Sequence, residues 1–443
     1  MRAADLGSAR VAIWGLGREG LAAVQFLRAR HPNLPLLLLD DAKDVQPSWG
    51  NVNLNYGFGS AAIIRALGEI DVLIKSPGVS LYRPEIAVAR DNKVAITSLM
   101  NLWFAEGFGV TTICVTGSKG KSTTASLISH ILRRLGRKVA LAGNIGVPIT
   151  EIDESEADYA VIEVSSYQAA DFDAVCDVAV LTSLFPEHLD WHHTLDAYYN
   201  DKLNLLRHSS CPIINRLAMS GIGLTGRLFN DDAGVHAHGT EIFDGVDRIA
   251  KVRNRYLARP HNLSNVCAAL TVAKVLDLGL AEALDVTGDF MPLPHRQQEV
   301  GTLAGILYVD DSISTAPEST IAALDVYSGQ AITVIVGGHD RGVDYDSLIA
   351  KLASGGAQAV VCLGASGGRI YTGLTTAARG DLGVAMARSM QDAVARAKEM
   401  TPGGGVVLLS PAAPSYGDYR DFAERGRDFV AKAGFVASNK PPA

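Results

Sequence analysis

The amino-acid sequence predicts an α/β protein built from parallel sheets and divided into three domains. Short runs of Val, Ile and Leu alternate with helix-length amphipathic stretches almost from end to end. Uninterrupted apolar strands separated by helices are typical of parallel sheets whose two faces are covered. Glycine-rich turns also follow two of the predicted strands, at 15–20 and at 117–120, where helices are expected to begin.

Nine runs are predicted to be buried strands: Val11–Trp14, Leu36–Leu39, Val72–Ile74, Ile113–Val115, Tyr159–Val164, Val178–Leu184, Ile332–Val336, Ala359–Leu363 and Val406–Leu409. A new strand, glycine loop and helix begin at Thr112, after a helix-like segment, so we expect the first domain to end near Ser98. The proline-broken segment Met291–Arg296 is predicted to be a linker. We therefore predict domains at 1–98, 99–292 and 293–443, with loops and short strands in the polar segment Gly221–Arg255.

Length, charge and cysteine usage limit the class of protein. A chain of 443 residues suggests two to four domains, at roughly 100–200 residues each. The net charge of −7 and the lack of a basic block argue against nucleic-acid and anionic-membrane partners. Five scattered cysteines favour a reducing compartment over a disulfide framework or a zinc cluster. With no signal peptide or membrane-length apolar run recognised, we expect a cytoplasmic protein, and we expect a monomer.

The segment 116–124, TGSKGKSTT, is the strongest motif in the chain. It follows a predicted strand and opens an apolar-periodic helix, so glycine-flanked amide groups and a helix N-terminus would surround a phosphate. Its spacing differs from the common phosphate loop, since the first glycine lies closer to GKS. We expect ATP to contact the loop residues Gly117, Ser118, Lys119, Gly120, Lys121, Ser122 and Thr123. Lys121 would reach the β- and γ-phosphates, and the Ser122 hydroxyl would bind Mg²⁺.

Further polar residues follow the next two predicted strands. Glu163 ends the strand in YAVIEVSSYQ, and His188 lies in LFPEHLDWH after the following strand. The carboxyl ends of parallel strands gather ligand groups at one edge of a sheet. Lys202 follows on a predicted helix. A carboxylate, an imidazole and the loop serine are suitable ligands for Mg²⁺ that bridges ATP and a second anion.

These motifs in their order resemble the Mur ligases, which build the peptide stem of bacterial cell-wall precursors. The resemblance rests on TGSKGKSTT, GNIG (143–146), EVSSYQ, PEHLDWH, DKLNLL, HNLSN (261–265), LPHR and DDSISTAP, and it spans nearly the whole chain. It implies an ATP-dependent ligase that forms an acyl phosphate, with Rossmann-like first and third domains and a central ATP domain.

The resemblance also implies roles for individual residues. The catalytic residues would be Lys121, Glu163, His188 and Lys202. Ser122 and Glu163 would hold one Mg²⁺, and His188 would hold a second. Lys202 would be carbamylated, which makes it a ligand of that second metal. Asn265 would border the adenine, and the third domain would supply Arg296 and Asp311 to the nucleotide.

The glycine loop of the first domain leaves two interpretations open. GxGxxG at 15–20, with Asp40 ending the next strand, is typical of a dinucleotide site and would allow a redox function. In a chain that already carries an ATP loop, a UDP-sugar site is the better interpretation. The resemblance supports it and implies UDP-sugar contacts at Gly17, Arg18, Asp40, Ser76, Pro77, Gly78, Asn144 and Ser165.

The third domain resembles that of the glutamate-adding Mur ligases, which use UDP-N-acetylmuramoyl-L-alanine. The implied glutamate contacts are Ile313, Thr315, Arg341, Ser415 and Phe422. Arg341 replaces a lysine, and its planar fork can pair with a carboxylate. Ile313 stands where the D-glutamate enzymes carry a lysine, so this chain resembles the branch that adds L-glutamate. D-glutamate is the alternative, with Ile313 merely repacking a tolerant pocket.

Three other functions share parts of the pattern. A small-molecule kinase would have the phosphate loop but no amino-acid pocket. Folate polyglutamate ligases share the ATP core but lack the extra N-terminal domain. A nucleotide-sensing module would not need Glu163, His188 and Lys202 beside the loop.

Overall fold

A computed structural model of the chain describes residues 1–41, 54–145, 148–153, 155–218, 223–377 and 382–436, without the side chains of 189 and 190. The chain forms two compact units, Met1–Phe290 and Met291–Ala443. The first unit contains two sheets and the second contains one. The domain boundaries after residues 98 and 292 stay predictions.

The first unit begins with a five-stranded parallel sheet in the order β3–β2–β1–β4–β5. Its elements are β1 (Val11–Trp14), α1 (Arg18–Arg30), β2 (Leu36–Asp40), β3 (Leu54–Phe58), α2 (Ser60–Leu67), β4 (Val72–Lys75), α3 (Pro84–Asp91), β5 (Ala95–Thr97) and α4 (Leu99–Glu106). The chain leaves β1 on one side for β2 and returns on the other side for β4. The strand order therefore reverses between β1 and β4, where α/β sheets bind ligands at the carboxyl ends.

The second sheet has nine strands in the order β14–β13–β12–β11–β10–β9–β6–β8–β7. Its elements are β6 (Thr111–Thr116), α5 (Lys121–Arg134), β7 (Val139–Gly143), β8 (Tyr159–Glu163), α6 (Ser166–Ala170), β9 (Cys176–Leu181), α7 (Leu189–His192), α8 (Leu195–Arg207), β10 (Ser209–Asn215), β11 (Arg227–Phe229), β12 (Val235–His238), β13 (Glu241–Asp244), β14 (Asp247–Lys251), α9 (Pro260–Val275) and α10 (Leu280–Asp285). Here β6 lies between β8 and β9, so the phosphate loop leaves the sheet at the reversal of strand order.

The second unit has a six-stranded sheet in the order β15–β16–β20–β17–β18–β19. Its elements are β15 (Gln298–Leu303), β16 (Ile306–Asp310), α11 (Pro317–Val326), β17 (Ile332–Val336), α12 (Asp346–Lys351), β18 (Ala359–Leu363), α13 (Gly364–Ala377), β19 (Gly383–Ala387), α14 (Met390–Met400), β20 (Val406–Leu409) and α15 (Phe422–Lys432). Only β15 pairs antiparallel within the described part of this sheet.

The α/β prediction is confirmed, with two corrections. The sheets are not wholly parallel, because β12, β13 and β14 form antiparallel pairs within the segment predicted as loops and short strands. The strand predicted at Val178–Leu184 ends at Leu181. Beyond it, the Thr182 hydroxyl donates to the Lys119 carbonyl oxygen over 2.6 Å. This side chain faces the phosphate loop rather than continuing an apolar strand.

None of the helices formed by the described residues has the length and hydropathy of a membrane span. The five cysteines carry free thiols.

A buried ion pair joins the first two sheets of unit one. The Lys75 ammonium at the end of β4 lies 2.9 Å from a carboxylate oxygen of Asp171, which follows α6. The Lys75 side chain is fully buried and that of Asp171 is 10% exposed. Burial raises the pKa of the Asp171 carboxyl, and the Lys75 charge opposes that rise. Removing one partner of such a pair leaves an uncompensated buried charge.

Lys75→Ala is therefore expected to destabilise unit one by about 3–5 kcal/mol, the usual cost of breaking a buried pair. The measurement is the urea midpoint of intrinsic tryptophan fluorescence. Arg10→Ala is the matched control, since it breaks the solvent-exposed pair with Asp71 and should leave the midpoint almost unchanged. Equal midpoints for the two variants would contradict the assignment of Lys75.

Candidate active site

The phosphate loop connects the end of β6 to the first turn of α5. Gly120 is the N-cap residue of α5, and Lys121 is its first residue. The Lys121 ammonium donates to the carbonyl oxygens of Gly117 and Ser118 over 2.8 and 3.0 Å. The lysine therefore folds back over its own loop and places its charge at the helix N-terminus, where anions are favoured.

Gly120 must be glycine for two independent reasons. Its φ of 87° lies in the left-handed region. A Cβ atom there would also lie 2.5 Å from Oδ1 of Asn265. That amide is fixed, because Oδ1 accepts from the Thr124 hydroxyl over 3.1 Å and Nδ2 donates to Asn262 over 3.0 Å. Asn265, predicted to border the adenine, lies directly against the phosphate loop.

The loop is supported by residues that the motif alone did not reveal. The hydroxyl groups of Ser118 and Tyr198 share a hydrogen bond of 2.7 Å. The backbone amide of Lys119 donates to the Ser183 hydroxyl over 2.8 Å. The Lys119 ammonium pairs with Glu187 over 2.5 Å. Tyr198 lies one helical turn before Lys202 on α8, and that i, i+4 spacing is the sequence signal that could have identified it.

Lys202 lies behind the phosphate loop with only 2% of its surface exposed. Its ammonium donates to the Gly117 carbonyl oxygen over 2.9 Å, so two lysines meet on one carbonyl group. Burial lowers the pKa of Lys202 well below its usual value, and the nearby charge of Lys121 lowers it further. A lowered pKa increases the share of neutral amine, which is the form that reacts with electrophiles.

Glu163 ends β8 next to the loop and is 2% exposed. One carboxylate oxygen accepts from the Asn144 amide over 3.0 Å. The other carboxylate oxygen is buried without a hydrogen-bond partner among the described residues. A buried, unsatisfied carboxylate oxygen is costly unless a cation is present. The position therefore fits Mg²⁺, for which oxygen ligands are preferred.

The other predicted metal ligands differ in their exposure to solvent. Ser122 is buried in the first turn of α5. His188 is exposed, and its ring lies edge-on to Tyr167 with the centroids 5.1 Å apart. Among the described residues, no three His, Cys, Asp or Glu side chains form a group that could hold a metal. The predicted set includes only Glu163 and His188 from those residue types.

The predicted UDP-sugar residues lie mainly at the crevice between β1 and β4. The Asp40 carboxylate accepts from the Leu16 amide over 2.7 Å and so fixes the glycine loop before Gly17 and Arg18. The Ser76 hydroxyl donates to the Gly15 carbonyl oxygen over 2.5 Å. Pro77 and Gly78 follow Ser76 at the same edge of the sheet.

Two predicted sugar contacts come from the second sheet. Ser165 is the N-cap residue of α6, where its hydroxyl accepts from the Gln168 amide. Asn144 follows β7 and bonds Glu163. The Arg18 guanidinium donates to the Gly143 carbonyl oxygen over 3.2 Å, and so it reaches from the first sheet to the second. The last residue of the GNIG motif, Gly146, lies outside the described residues.

In unit two, the predicted nucleotide residue Asp311 is buried at the end of β16. Its carboxylate accepts from the hydroxyls of Ser314 and Ser410 over 2.6 and 2.8 Å. Burial raises its pKa to about 6, partly offset by these bonds. The preceding Asp310 pairs with His295 over 2.6 Å. This pair fixes the turn that carries the neighbouring Arg296.

Three of the predicted glutamate residues, Ile313, Ser415 and Phe422, lie on segments that one buried arginine connects. The Arg425 guanidinium donates to the Ser312 carbonyl and hydroxyl oxygens over 2.8 and 3.0 Å, and to the Ala413 carbonyl oxygen over 3.0 Å. The Ser312 hydroxyl in turn donates to the Phe422 carbonyl oxygen over 2.7 Å. These bonds fix the backbones next to Ile313, Ser415 and Phe422, and burial lowers the pKa of Arg425 to about 10.

Arg341 and Thr315 are the predicted glutamate residues that contact each other. The Arg341 guanidinium donates to the Thr315 carbonyl oxygen over 3.2 Å. Arg341 is exposed and Ile313 is half-buried, whereas Ser415 is buried. An exposed cation therefore lies near the segment in which Ile313 supplies no charge.

Three family models match the chain in succession. Residues 9–98 match the Mur ligase MurD-like N-terminal domain, residues 115–273 the Mur ligase middle domain, and residues 295–413 the Mur ligase glutamate ligase domain. A curated relative from Xanthomonas euvesicatoria pv. vesicatoria (strain 85-10) is 38% identical, with 98% of this chain and 97% of the relative covered. The chain belongs to the Mur ligase family.

The names of such relatives are specific within the Mur ligase family. The Xanthomonas protein is named UDP-N-acetylmuramoyl-L-alanine–L-glutamate ligase. A protein of the same name from Salinispora tropica (strain ATCC BAA-916) is 39% identical, with 97% of this chain and 98% of the relative covered.

Solved Mur ligase structures share the fold at much lower identity. The UDP-N-acetylmuramate-alanine ligase of Thermotoga maritima matches with a TM-score of 0.59 and 18% identity, over 96% of this chain and 99% of that one. A ligase of the same organism, MurF in complex with ADP, matches with a TM-score of 0.57 and 15% identity, over 96% and 93% of the two chains. At these identities the comparison establishes the fold alone.

Gly120→Ala is expected to weaken binding of an ATP analogue by at least about tenfold, since a methyl group would displace Asn265 and the loop; tenfold corresponds to about 1.4 kcal/mol. Gly136→Ala is the matched control, because Gly136 also has a positive φ but has open space around its Cβ position. Isothermal titration calorimetry measures both variants. Unchanged affinity in Gly120→Ala would contradict the described loop geometry.

Proposed function

We propose that this Mur ligase joins L-glutamate to UDP-N-acetylmuramoyl-L-alanine in an ATP-dependent reaction that releases ADP and phosphate. The observation that carries the proposal is the phosphate loop, where the ammonium groups of Lys121 and Lys202 meet on the Gly117 carbonyl oxygen. Relatives that carry this activity in their names match nearly the full length of the chain. The match of residues 9–98 to a Mur ligase domain favours a sugar nucleotide over a dinucleotide cofactor at the first glycine loop.

The reaction needs positive charge where a carboxylate meets a triphosphate. Loop amide groups at the N-terminus of α5 would bind the phosphate oxygens, and Lys121 would move from its loop carbonyls to the γ-phosphate. The L-alanine carboxylate attacks the γ-phosphorus, the bond to ADP breaks, and an acyl phosphate forms. The neutral amine of glutamate then attacks the acyl carbon, the bond from that carbon to the phosphate oxygen breaks, and the nitrogen releases one proton to solvent as inorganic phosphate leaves.

We infer two magnesium sites. Ser122 and Glu163 would hold one ion, and His188 and a carbamylated Lys202 would hold the second. Bound magnesium supplies positive charge that offsets the repulsion between the attacking carboxylate and the phosphates. The unsatisfied oxygen of Glu163 supports the first site.

Carbamylation of Lys202 is supported by its environment. The burial that lowers the pKa of this amine also favours the neutral form that adds to carbon dioxide. The product is an anion beside Lys121, so the like-charge repulsion between the two lysines would become attraction.

The choice of L-glutamate rests on the charges of unit two. Ile313 offers no charge on the Ser312–Ser314 turn, while Arg341 is the exposed cation bonded to Thr315. A dicarboxylate without a cation at position 313 must place its side-chain carboxylate elsewhere, and inverting the α-carbon moves it. Nucleotide contacts of Asn265, Arg296 and Asp311 belong to the same proposal, as do a cytoplasmic location and a monomeric state.

Offering each glutamate enantiomer to the protein with ATP, magnesium and UDP-N-acetylmuramoyl-L-alanine tests the function. Phosphate release should depend on L-glutamate and be at least about tenfold slower with D-glutamate, a difference of about 1.4 kcal/mol in activation free energy. Faster release with D-glutamate would contradict the stereochemical assignment. No release with either enantiomer would contradict the function itself.

Lys202→Ala is expected to lose at least about 100-fold in kcat, and millimolar formate or acetate should restore part of it by replacing the carbamate. Lys121→Ala is the matched control. It should lose activity on a similar scale, but a carboxylate cannot replace its positive charge, so these anions should not restore it. Equal responses of both variants to the anions would contradict carbamylation of Lys202.

A further inference from the structure

Helix α8 contacts the phosphate loop through one group of side chains. Tyr198 shares a hydrogen bond with the Ser118 hydroxyl, and Lys202 donates to the Gly117 carbonyl oxygen. Both side chains are buried, and they lie one turn apart on the helix. A small shift of α8 would therefore move two contacts of the loop together.

The same helix also contacts the first sheet of unit one. Asp201, which adjoins Lys202, accepts from the Tyr82 hydroxyl over 2.9 Å. Tyr82 follows β4, six residues beyond Ser76 in the predicted sugar-nucleotide crevice. Partial burial and the bond to Asp201 raise the pKa of Tyr82 to about 12, so its hydroxyl stays protonated and can donate at neutral pH.

Trp191 of α7 makes a second connection between the loop after β4 and the second sheet. The Trp191 indole donates to the Pro77 carbonyl oxygen over 3.1 Å, and the Ser80 hydroxyl donates to the Trp191 carbonyl oxygen over 2.7 Å. The rings of Tyr82 and Trp191 meet edge-on with centroids 6.1 Å apart. The loop that follows β4 is thus held to α7 by two hydrogen bonds and an aromatic contact.

His192 joins these two connections inside the protein. It is fully buried, with Nδ1 2.6 Å from the Asp201 carboxylate and Nε2 3.0 Å from the Ser166 hydroxyl. Ser166 is the first residue of α6, directly after the predicted sugar contact Ser165. Asp201 therefore receives hydrogen bonds from the loop after β4 and from α7, while its neighbour Lys202 holds the phosphate loop.

We propose that Tyr82 and Asp201 are positioning residues for the carboxyl-activation step. Their hydrogen bond couples the loop after β4 to α8, so that a shift of this loop also shifts α8. Lys202 and Tyr198 of α8 in turn contact the phosphate loop, which would shift with the helix. Binding of the sugar nucleotide then favours the loop geometry that binds ATP. This inference rests on the proposed function, since it assumes that UDP-N-acetylmuramoyl-L-alanine occupies the crevice after β4. Neither residue contacts the reacting atoms, and both act through α8.

The test measures the coupling between two ligands in the full-length protein. Calorimetry gives the Kd of a non-hydrolysable ATP analogue with magnesium, with and without saturating UDP-N-acetylmuramoyl-L-alanine. The wild-type protein should bind the analogue about 5- to 150-fold more tightly when the sugar nucleotide is present, the usual range for coupled sites. Tyr82→Phe should reduce this factor by at least about threefold and leave the Kd of each ligand alone within about twofold.

Tyr56→Phe is the matched control, because Tyr56 lies in β3 of the first sheet, away from α8, and has the same 37% exposure as Tyr82. It should keep the wild-type coupling factor. Asp201→Asn, which also alters the bond to His192, should reduce coupling at least as much as Tyr82→Phe. If Tyr82 and Asp201 had a purely structural role, the substitutions would change Tm or the Kd of each ligand alone, and the coupling factor between the two ligands would stay the same.

A coupling factor in Tyr82→Phe equal to that of the wild type would overturn the proposal, as would a wild-type factor of one. Failure of the proposed function is distinguishable from both results. In that case the wild-type protein would bind no UDP-N-acetylmuramoyl-L-alanine, and its phosphate release would not respond to glutamate.

Discussion

The burial of the Lys202 amine behind the phosphate loop is the constraint on which the rest of the site depends. A buried ammonium is costly, and the Gly117 carbonyl that it bonds is shared with the ammonium of Lys121. A lysine with a lowered pKa therefore lies next to a loop whose backbone amides and helix N-terminus favour anions. Such an arrangement is unfavourable for stability alone, and it becomes favourable once anionic ligands, or a carbamate on Lys202 itself, supply the missing negative charge.

The fold accounts for how these groups meet. Each sheet reverses its strand order near the position where its polar residues leave the strands, so loops from distant parts of the chain meet at the carboxyl edge of that sheet. In the second sheet, the reversal at β6 brings together the phosphate loop and Glu163. Helix α8 supports the same loop through the hydrogen bonds of Tyr198 and Lys202. The geometry of activation is thus set by strand order and by one supporting helix.

Much of the fold could be predicted from the sequence, because buried parallel strands have a local signature. Val11–Trp14, Ile332–Val336 and Ala359–Leu363 have the predicted bounds. Two other strands were missed because they lack this local signature. The strand Leu54–Phe58 is only partly buried, and Ser209–Asn215 contains a proline, so neither shows an uninterrupted apolar run.

Site residues could be predicted only where they belong to a motif of a few neighbouring residues in the sequence. Glu163 was placed correctly at a strand end, and Lys202 on a helix. The i, i+4 spacing places Tyr198 on the same helix face as Lys202, but the hydrogen bonds of the supporting side chains were not predictable. Tyr198 bonds a serine 80 residues away, and Tyr82 bonds an aspartate 119 residues away. Arg425 connects segments 113 and 12 residues distant. Contacts of this range depend on the tertiary fold, and local sequence patterns do not encode them.

The central claim is that the phosphate loop directs the γ-phosphate of ATP onto the carboxylate of a sugar-borne L-alanine. The most direct measurement follows oxygen atoms. UDP-N-acetylmuramoyl-L-alanine labelled with ¹⁸O in its carboxylate is converted with ATP, magnesium and L-glutamate, and the released phosphate is analysed by mass spectrometry. Transfer through an acyl phosphate predicts one labelled oxygen in each phosphate formed. Unlabelled phosphate, produced at the same rate as the peptide product, would contradict the account.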